Sequence, residues 1–131
     1  MSDRIGLLKL VLIVFGVVFC LVYPLAIIWP SGWAWHAGAP YASDYFMMIV
    51  GVYATLGVFL VLASRDPQAN RSLILFTIWS SLVHAAIMAW QSFTMPEHKG
   101  HLFGDVPALL LVAIVLYTLL PPAGKTAPAA A

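Results

Sequence analysis

Four long apolar stretches, at residues 5–29, 45–64, 72–93 and 106–120, leave this chain few ways to fold. Each is long enough, or nearly so, to cross a hydrocarbon core of roughly 30 Å at about 1.5 Å per helical residue. Hydrocarbon offers no water to an open backbone N–H or C=O, so a spanning segment must close its own hydrogen bonds, as a helix does. The sequence therefore predicts an all-α integral membrane protein with four helices at those positions. One domain covers 1–121, and a proline- and alanine-rich tail, 122–131, is expected to be disordered.

Composition narrows the partners. At 63% hydrophobic and 8% charged residues the chain lies outside the soluble range, so the lipid bilayer is its first partner. Lysine and arginine form no cluster, which removes a nucleic-acid footprint. The single cysteine, Cys20, excludes an internal disulfide and a cysteine-based zinc site. Arg4 and Lys9 resemble the basic start of a secretory signal. The apolar run that follows is too long for one, however, and residues 24–35 separate it from the small-residue site Ala37-Gly38-Ala39. An uncleaved first helix is expected.

Charge gives the orientation. With a cytoplasmic N-terminus, Arg4, Lys9, Arg65, Arg71 and Lys125 fall inside and only Lys99 outside, which is the bias membrane insertion favours. Trp29, Trp33, Trp35, Tyr41 and Tyr45 then form an aromatic belt at the outer headgroups. Short links make neighbouring helices antiparallel, so the expected architecture is an up-down-up-down four-helix bundle, N-in and C-in, in a bacterial inner membrane. Pro30 and Gly32 end helix 1, and Ser43 or Asp44 caps helix 2. Asn70 is expected to cap helix 3, and Asp105 to cap helix 4, with Pro107 in its first turn.

Helix 3 holds the one ionisable side chain deep in the membrane, His84. At about 100° per residue, Thr77, Ser81, His84, Met88 and Gln91 fall within about 80° of one another, with Trp79 and Trp90 nearly opposite. Such a polar ridge should face other helices, since lipid gives its donors no partners. Pro24 leaves the Cys20 carbonyl without its usual donor, and helix 1 should bend there. Cys20, Thr55 and His84 come to similar depths, about 13 Å below the outer boundary. A neutral His84 is expected to bond to the Cys20 carbonyl or the Thr55 hydroxyl. Thr55, Thr77, Ser81, His84, Met88 and Gln91 thus form a candidate intramembrane polar pocket.

The outer loops gather His36, Glu97, His98, His101 and Asp105. Imidazole and carboxylate at these spacings suit zinc or copper, although an ordinary solvated loop is the favoured reading and no cofactor is expected. Gly16, Cys20 and Pro24 repeat every four residues on helix 1, and Gly51, Ala54, Thr55 and Gly57 lie on helix 2. Close packing of those two helices is the economical reading, with self-association as its rival.

Several segments carry a resemblance: Trp29-Pro30-Ser31-Gly32-Trp33, Met48-Ile49-Val50-Gly51-Val52-Tyr53-Ala54, Trp79-Ser80-Ser81-Leu82-Val83-His84-Ala85-Ala86, and Gly100-His101-Leu102-Phe103-Gly104-Asp105-Val106-Pro107-Ala108-Leu109. Over roughly 5–121 the chain resembles a bacterial family of small four-helix inner-membrane proteins known only as a domain of unknown function. The resemblance implies the membrane and no activity. Small four-helix proteins of the DoxX type share the layout by analogy alone. Three roles follow. The preferred one is a structural or accessory protein, as a homo-oligomer or a subunit of a larger membrane complex. The second is a binder or transporter of a small molecule or proton, using the pocket around His84. The third is a metal- or haem-dependent redox protein. No catalytic motif has the required spacing, so an enzyme is the less favoured class.

Overall fold

The computed structural model describes residues 2–34, 36 and 38–122. Trp35, Lys125 and nearly all of the tail expected to be disordered lie outside the described residues. The described residues form α1 Ser2–Cys20, α2 Val22–Ile28, α3 Pro30–Trp33, α4 Asp44–Ala63, α5 Arg71–Thr94 and α6 Asp105–Leu119. Two 3-10 segments, Pro40–Ala42 and Pro96–Leu102, complete an all-helical fold with no strand among these residues.

Six helices replace the four expected because the first stretch is divided. α1 and α2 meet at 59° around Leu21. Pro24 cannot donate to the Cys20 carbonyl and its ring crowds that oxygen, so the chain turns just ahead of it. The bend sits where the sequence places it but is too sharp for one straight span. Pro30 then starts α3 at a position where a missing N–H is harmless. α4, α5 and the continuous stretch Pro96–Leu119 are long and apolar enough to cross a membrane; the bent α1–α2 pair is a fourth if it acts as one span. α6 alone, at 15 residues, reaches only about 22 Å, and the 3-10 segment ahead of it supplies the rest.

The helices associate as two pairs. α1 packs along α4 and α5 along α6, whereas α4 and α5 barely touch. Glycine makes the first pairing possible. A β-carbon on Gly16 would stand 2.6 Å from the Gly57 carbonyl oxygen, and one on Gly57 would strike the Gly16 carbonyl and the Cys20 Sγ. Cys20 Sγ bonds the Ala54 carbonyl at 3.5 Å beside this crossing. Gly51, by contrast, has open space around it and takes no part.

Two ends are pinned differently. At the basic end, Arg4 Nε donates to the Leu119 carbonyl at 3.2 Å, and its guanidinium also reaches the Thr118 carbonyl. Arg71 donates to the Pro121 carbonyl. Arg4 thus bonds carbonyls that the end of α6 leaves open, and Arg71 holds the chain just beyond it. At the opposite, capped end, Gly100 lies against the Ser31 carbonyl and Gly104 against the Gly32 carbonyl, so α3 and the second 3-10 segment interlock. Side chains there would force the backbones apart.

Local caps differ in part from the sequence reading. Ser43 Oγ accepts from Phe46 N at 3.2 Å and caps α4 as expected. Asn70 stands at the N-cap position of α5 as expected, but its side chain makes no capping bond. Its amide donates back to the Asp66 carbonyl at 2.9 Å, while Asp66 Oδ1 accepts from the N–H groups of Gln68 and Ala69 at 3.2 and 3.1 Å. The aspartate organises this turn because its short carboxylate meets the amides two and three residues on. Asp105 is the first residue of α6 rather than its cap, which is Gly104.

Burial divides the interior into one cluster at the basic end and two at the capped end. Leu8, Leu12, Phe19, Leu60, Ile74, Ile78, Val112 and Leu116 join all four long helices. Towards the capped end the core forks. Val22, Ala26, Ala34 and Phe46 form one branch; Ala85, Met88, Val106 and Leu109 form the other. Tyr53 packs against all three clusters and so stands at the fork.

Candidate functional site

The fork encloses a cavity of about 830 Å³. α1 contributes Val14, Phe15, Val18 and Phe19, α4 Ile49 and Tyr53, α5 His84, Met88 and Gln91, and α6 Ala108, Leu109 and Val112. Trp33, His36, Ser43, Tyr45, Phe46 and Asp105 line it at the capped end. Val14 and Leu111 on one flank, and Ile49 and Ile87 on the other, are also exposed on the helix surfaces. The cavity therefore reaches the surface between the two helix pairs, and beside the exposed Tyr45 at the capped end. Its wall is mostly apolar, and neither lysine nor arginine lines it among the described residues.

Tyr53 and His84 carry its central polar contact. Tyr53 Oη lies 2.6 Å from His84 Nδ1, across the seam where α4 and α5 otherwise hardly meet. The Tyr53 ring is held edge-on by Phe19, with centroids 5.0 Å apart and planes at 90°. An edge-to-face pair fixes the tyrosine rotamer, which aims the hydroxyl.

The expected partners of His84 are corrected by this geometry. Thr55 is exposed and donates to the Gly51 carbonyl of its own helix at 2.9 Å. Two residues are about 200° on a helix, so when Tyr53 faces inward Thr55 faces out. The remaining ridge residues divide as well. Thr77, Ser81 and Met88 are buried, Thr77 bonding the Leu73 carbonyl at 2.9 Å, whereas His84 and Gln91 are half-buried. The buried face of α5 also takes in Ile74, Ile78 and Ala85, which turns it by roughly 40° from the polar ridge. Hence Met88, His84 and Gln91 reach the cavity, while Thr55, Thr77 and Ser81 do not line it. Trp79 and Trp90 face outward, 64% and 71% exposed.

The outer histidines and acids do not meet as one group. His36 Nε2 bonds the Ala39 carbonyl at 2.8 Å, and its ring lies 5.6 Å from that of Phe46. Glu97 is exposed. His98 and His101 rings are 5.9 Å apart and tilted. His101, itself buried, donates from Nδ1 to Asp105 Oδ2 at 2.8 Å. Among the described residues no three histidine, cysteine, aspartate or glutamate side chains converge as an ion requires. The zinc or copper grouping of His36, Glu97, His98, His101 and Asp105 is thus not assembled. The reason is visible at Asp105, whose carboxylate turns back to the histidine four residues earlier and ties the 3-10 segment to α6.

Sequence reasoning missed Tyr53, Phe19, Trp33 and Phe46 as parts of the site. The available signal was Tyr53 itself, a polar-tipped ring mid-way along a membrane helix, where a hydroxyl needs a partner. Of the residues assigned to the headgroup belt, Trp33 and the exposed Tyr45 border the cavity, whereas Trp29 and Tyr41 are exposed and do not.

Comparison with curated proteins finds no match, and comparison with solved structures finds none either. A family's sequence model does match, over residues 3–131. The chain, a small protein with membrane-length apolar helices, therefore belongs to the family of unknown function DUF6632.

Proposed function

We propose that this protein is a multi-pass protein of a bacterial inner membrane that binds a small lipophilic molecule in the cavity beside Tyr53 and His84. The observation that carries this is a cavity of about 830 Å³ with a polar pair in its wall, within the size range of small-molecule sites. The pair borders open volume, where a bound molecule could reach it. Both chain ends are assigned to the cytoplasm, in an up-down-up-down order. That assignment draws on Arg4, Lys9, Arg65 and Arg71 against Lys99.

Ligand-linked stability tests the binding role. Anything that binds the folded state alone raises its apparent stability with concentration. Purified protein in mild detergent should show melting temperatures that climb with some members of a panel of neutral lipophilic compounds. A panel without effect would remove the proposal. A second reading, as a homo-oligomer or an accessory subunit of a larger complex, draws on the outward-facing Trp79 and Trp90. Size measurement in the same detergent separates a monomer from an assembly.

A further inference from the structure

We infer that the occupant of the cavity is a neutral, lipid-soluble ring compound with a carbonyl acceptor, of the quinone or cyclic-ketone kind, bonded by His84 Nε2–H. This rests on the binding role proposed above and specifies its ligand.

Proton placement on the Tyr53–His84 pair comes first. A neutral imidazole carries one N–H, on Nδ1 or on Nε2. If Nδ1 carried it, the ring would donate to Tyr53, and the tyrosine proton would need another acceptor. The only hydrogen bond of Tyr53 Oη among the described residues is the one to His84. That arrangement would strand the tyrosine donor and the Nε2 lone pair together. With the proton on Nε2, Tyr53 donates to Nδ1 and only the Nε2–H is left open. The second tautomer leaves fewer polar groups unpaired, and it presents a donor. His84 lines the cavity, and Nε2 makes no hydrogen bond among the described residues. A carbonyl oxygen is the complement of this open N–H in a mostly apolar wall.

Charge and shape complete the description. An anionic head, such as a fatty acid or a phosphate, would meet no lysine or arginine in the wall. An unpaired charge there would carry a large desolvation cost. Asp105, the one acid bordering the cavity, opposes an anion as well. Sideways opening between the helix pairs gives access from the bilayer, which selects for lipid solubility. Phe15, Phe19, Trp33 and Phe46 supply flat aromatic walls suited to a ring.

Histidine-15N-labelled protein in mild detergent, titrated separately with decylubiquinone, decylbenzene and decanoate, tests this. The His84 signals are assigned by comparison with His84→Phe, or with Tyr53→Phe should that variant fail to fold. Expected are an Nε2–H tautomer before addition and an Nε2 shift with decylubiquinone alone. Its affinity should exceed that of decylbenzene by about fivefold to tenfold, the effect of one hydrogen bond. An Nδ1–H tautomer, equal binding of decylubiquinone and decylbenzene, or tightest binding of decanoate would overturn the ligand assignment and leave the binding role standing. Failure of all three probes to bind would overturn both.

Discussion

The Tyr53 hydroxyl and His84 Nδ1, 2.6 Å apart, form the only side-chain hydrogen bond between α4 and α5 among the described residues. Its position at the fork of the core gives it two effects. It ties together helices that otherwise scarcely touch, and it fixes a polar pair in the wall of an apolar cavity. Interhelical bonds of this kind are individually modest, about 0.6–2 kcal/mol in a membrane, and act chiefly on which faces meet.

Tyr53→Phe keeps the edge-on contact with Phe19 and removes only the hydroxyl. It should destabilise the protein by about 1 kcal/mol in a reversible detergent unfolding titration. The 15N spectrum of His84 should change with it, from one tautomer to a mixture. Unchanged stability together with an unchanged His84 spectrum would show that the bond is not formed.

The α1–α4 crossing makes a sharper prediction. Gly57→Leu drives a side chain into the Gly16 carbonyl and Cys20, and overpacking of this kind costs about 1–3 kcal/mol or more. Gly51→Ala, six residues away with open space around it, should change the melting temperature little. Equal effects of the two substitutions would contradict the crossing.

His101→Ala should loosen the capped end. The lost bond to Asp105 involves a carboxylate, and such bonds contribute about 2 kcal/mol. Hydrogen exchange should accelerate at 96–102 and at the first turn of α6, with the basic end unaffected. Uniform acceleration throughout the chain would contradict a local role.

Helix positions were legible in the sequence because apolar length in a membrane protein is a direct physical requirement. Ser43, Gly16 and Gly57 were legible for related reasons: a cap and a close crossing each demand a particular residue type. His84 stood out because an imidazole deep in an apolar helix needs a partner. The identity of that partner was not legible, since Tyr53 and Thr55 lie at nearly the same depth and only the rotation of α4 chooses between them. The division of the first span was half legible: Pro24 announces a bend, but a local proline rule carries no angle, and the 59° emerges only in the folded chain. Asp105 was misread as a cap because His101 becomes its neighbour only once the 3-10 segment has formed.

Orientation is open to single-cysteine labelling. In a Cys20→Ser background, cysteine at Lys99 should react with an impermeant maleimide on intact spheroplasts. Cysteine at Gln68 should react only after the membrane is opened. The reverse pattern would invert the proposed orientation.

Native mass spectrometry on protein taken from its own membrane in mild detergent tests the central claim most directly, with Ala108→Trp compared beside the unaltered chain. Ala108 lines the cavity, and an indole there intrudes on the space between the helix pairs without touching the identity of Tyr53 or His84. The account predicts a bound small molecule on the unaltered protein that is absent from a folded Ala108→Trp. The same adduct on both proteins, or none on either, would contradict it.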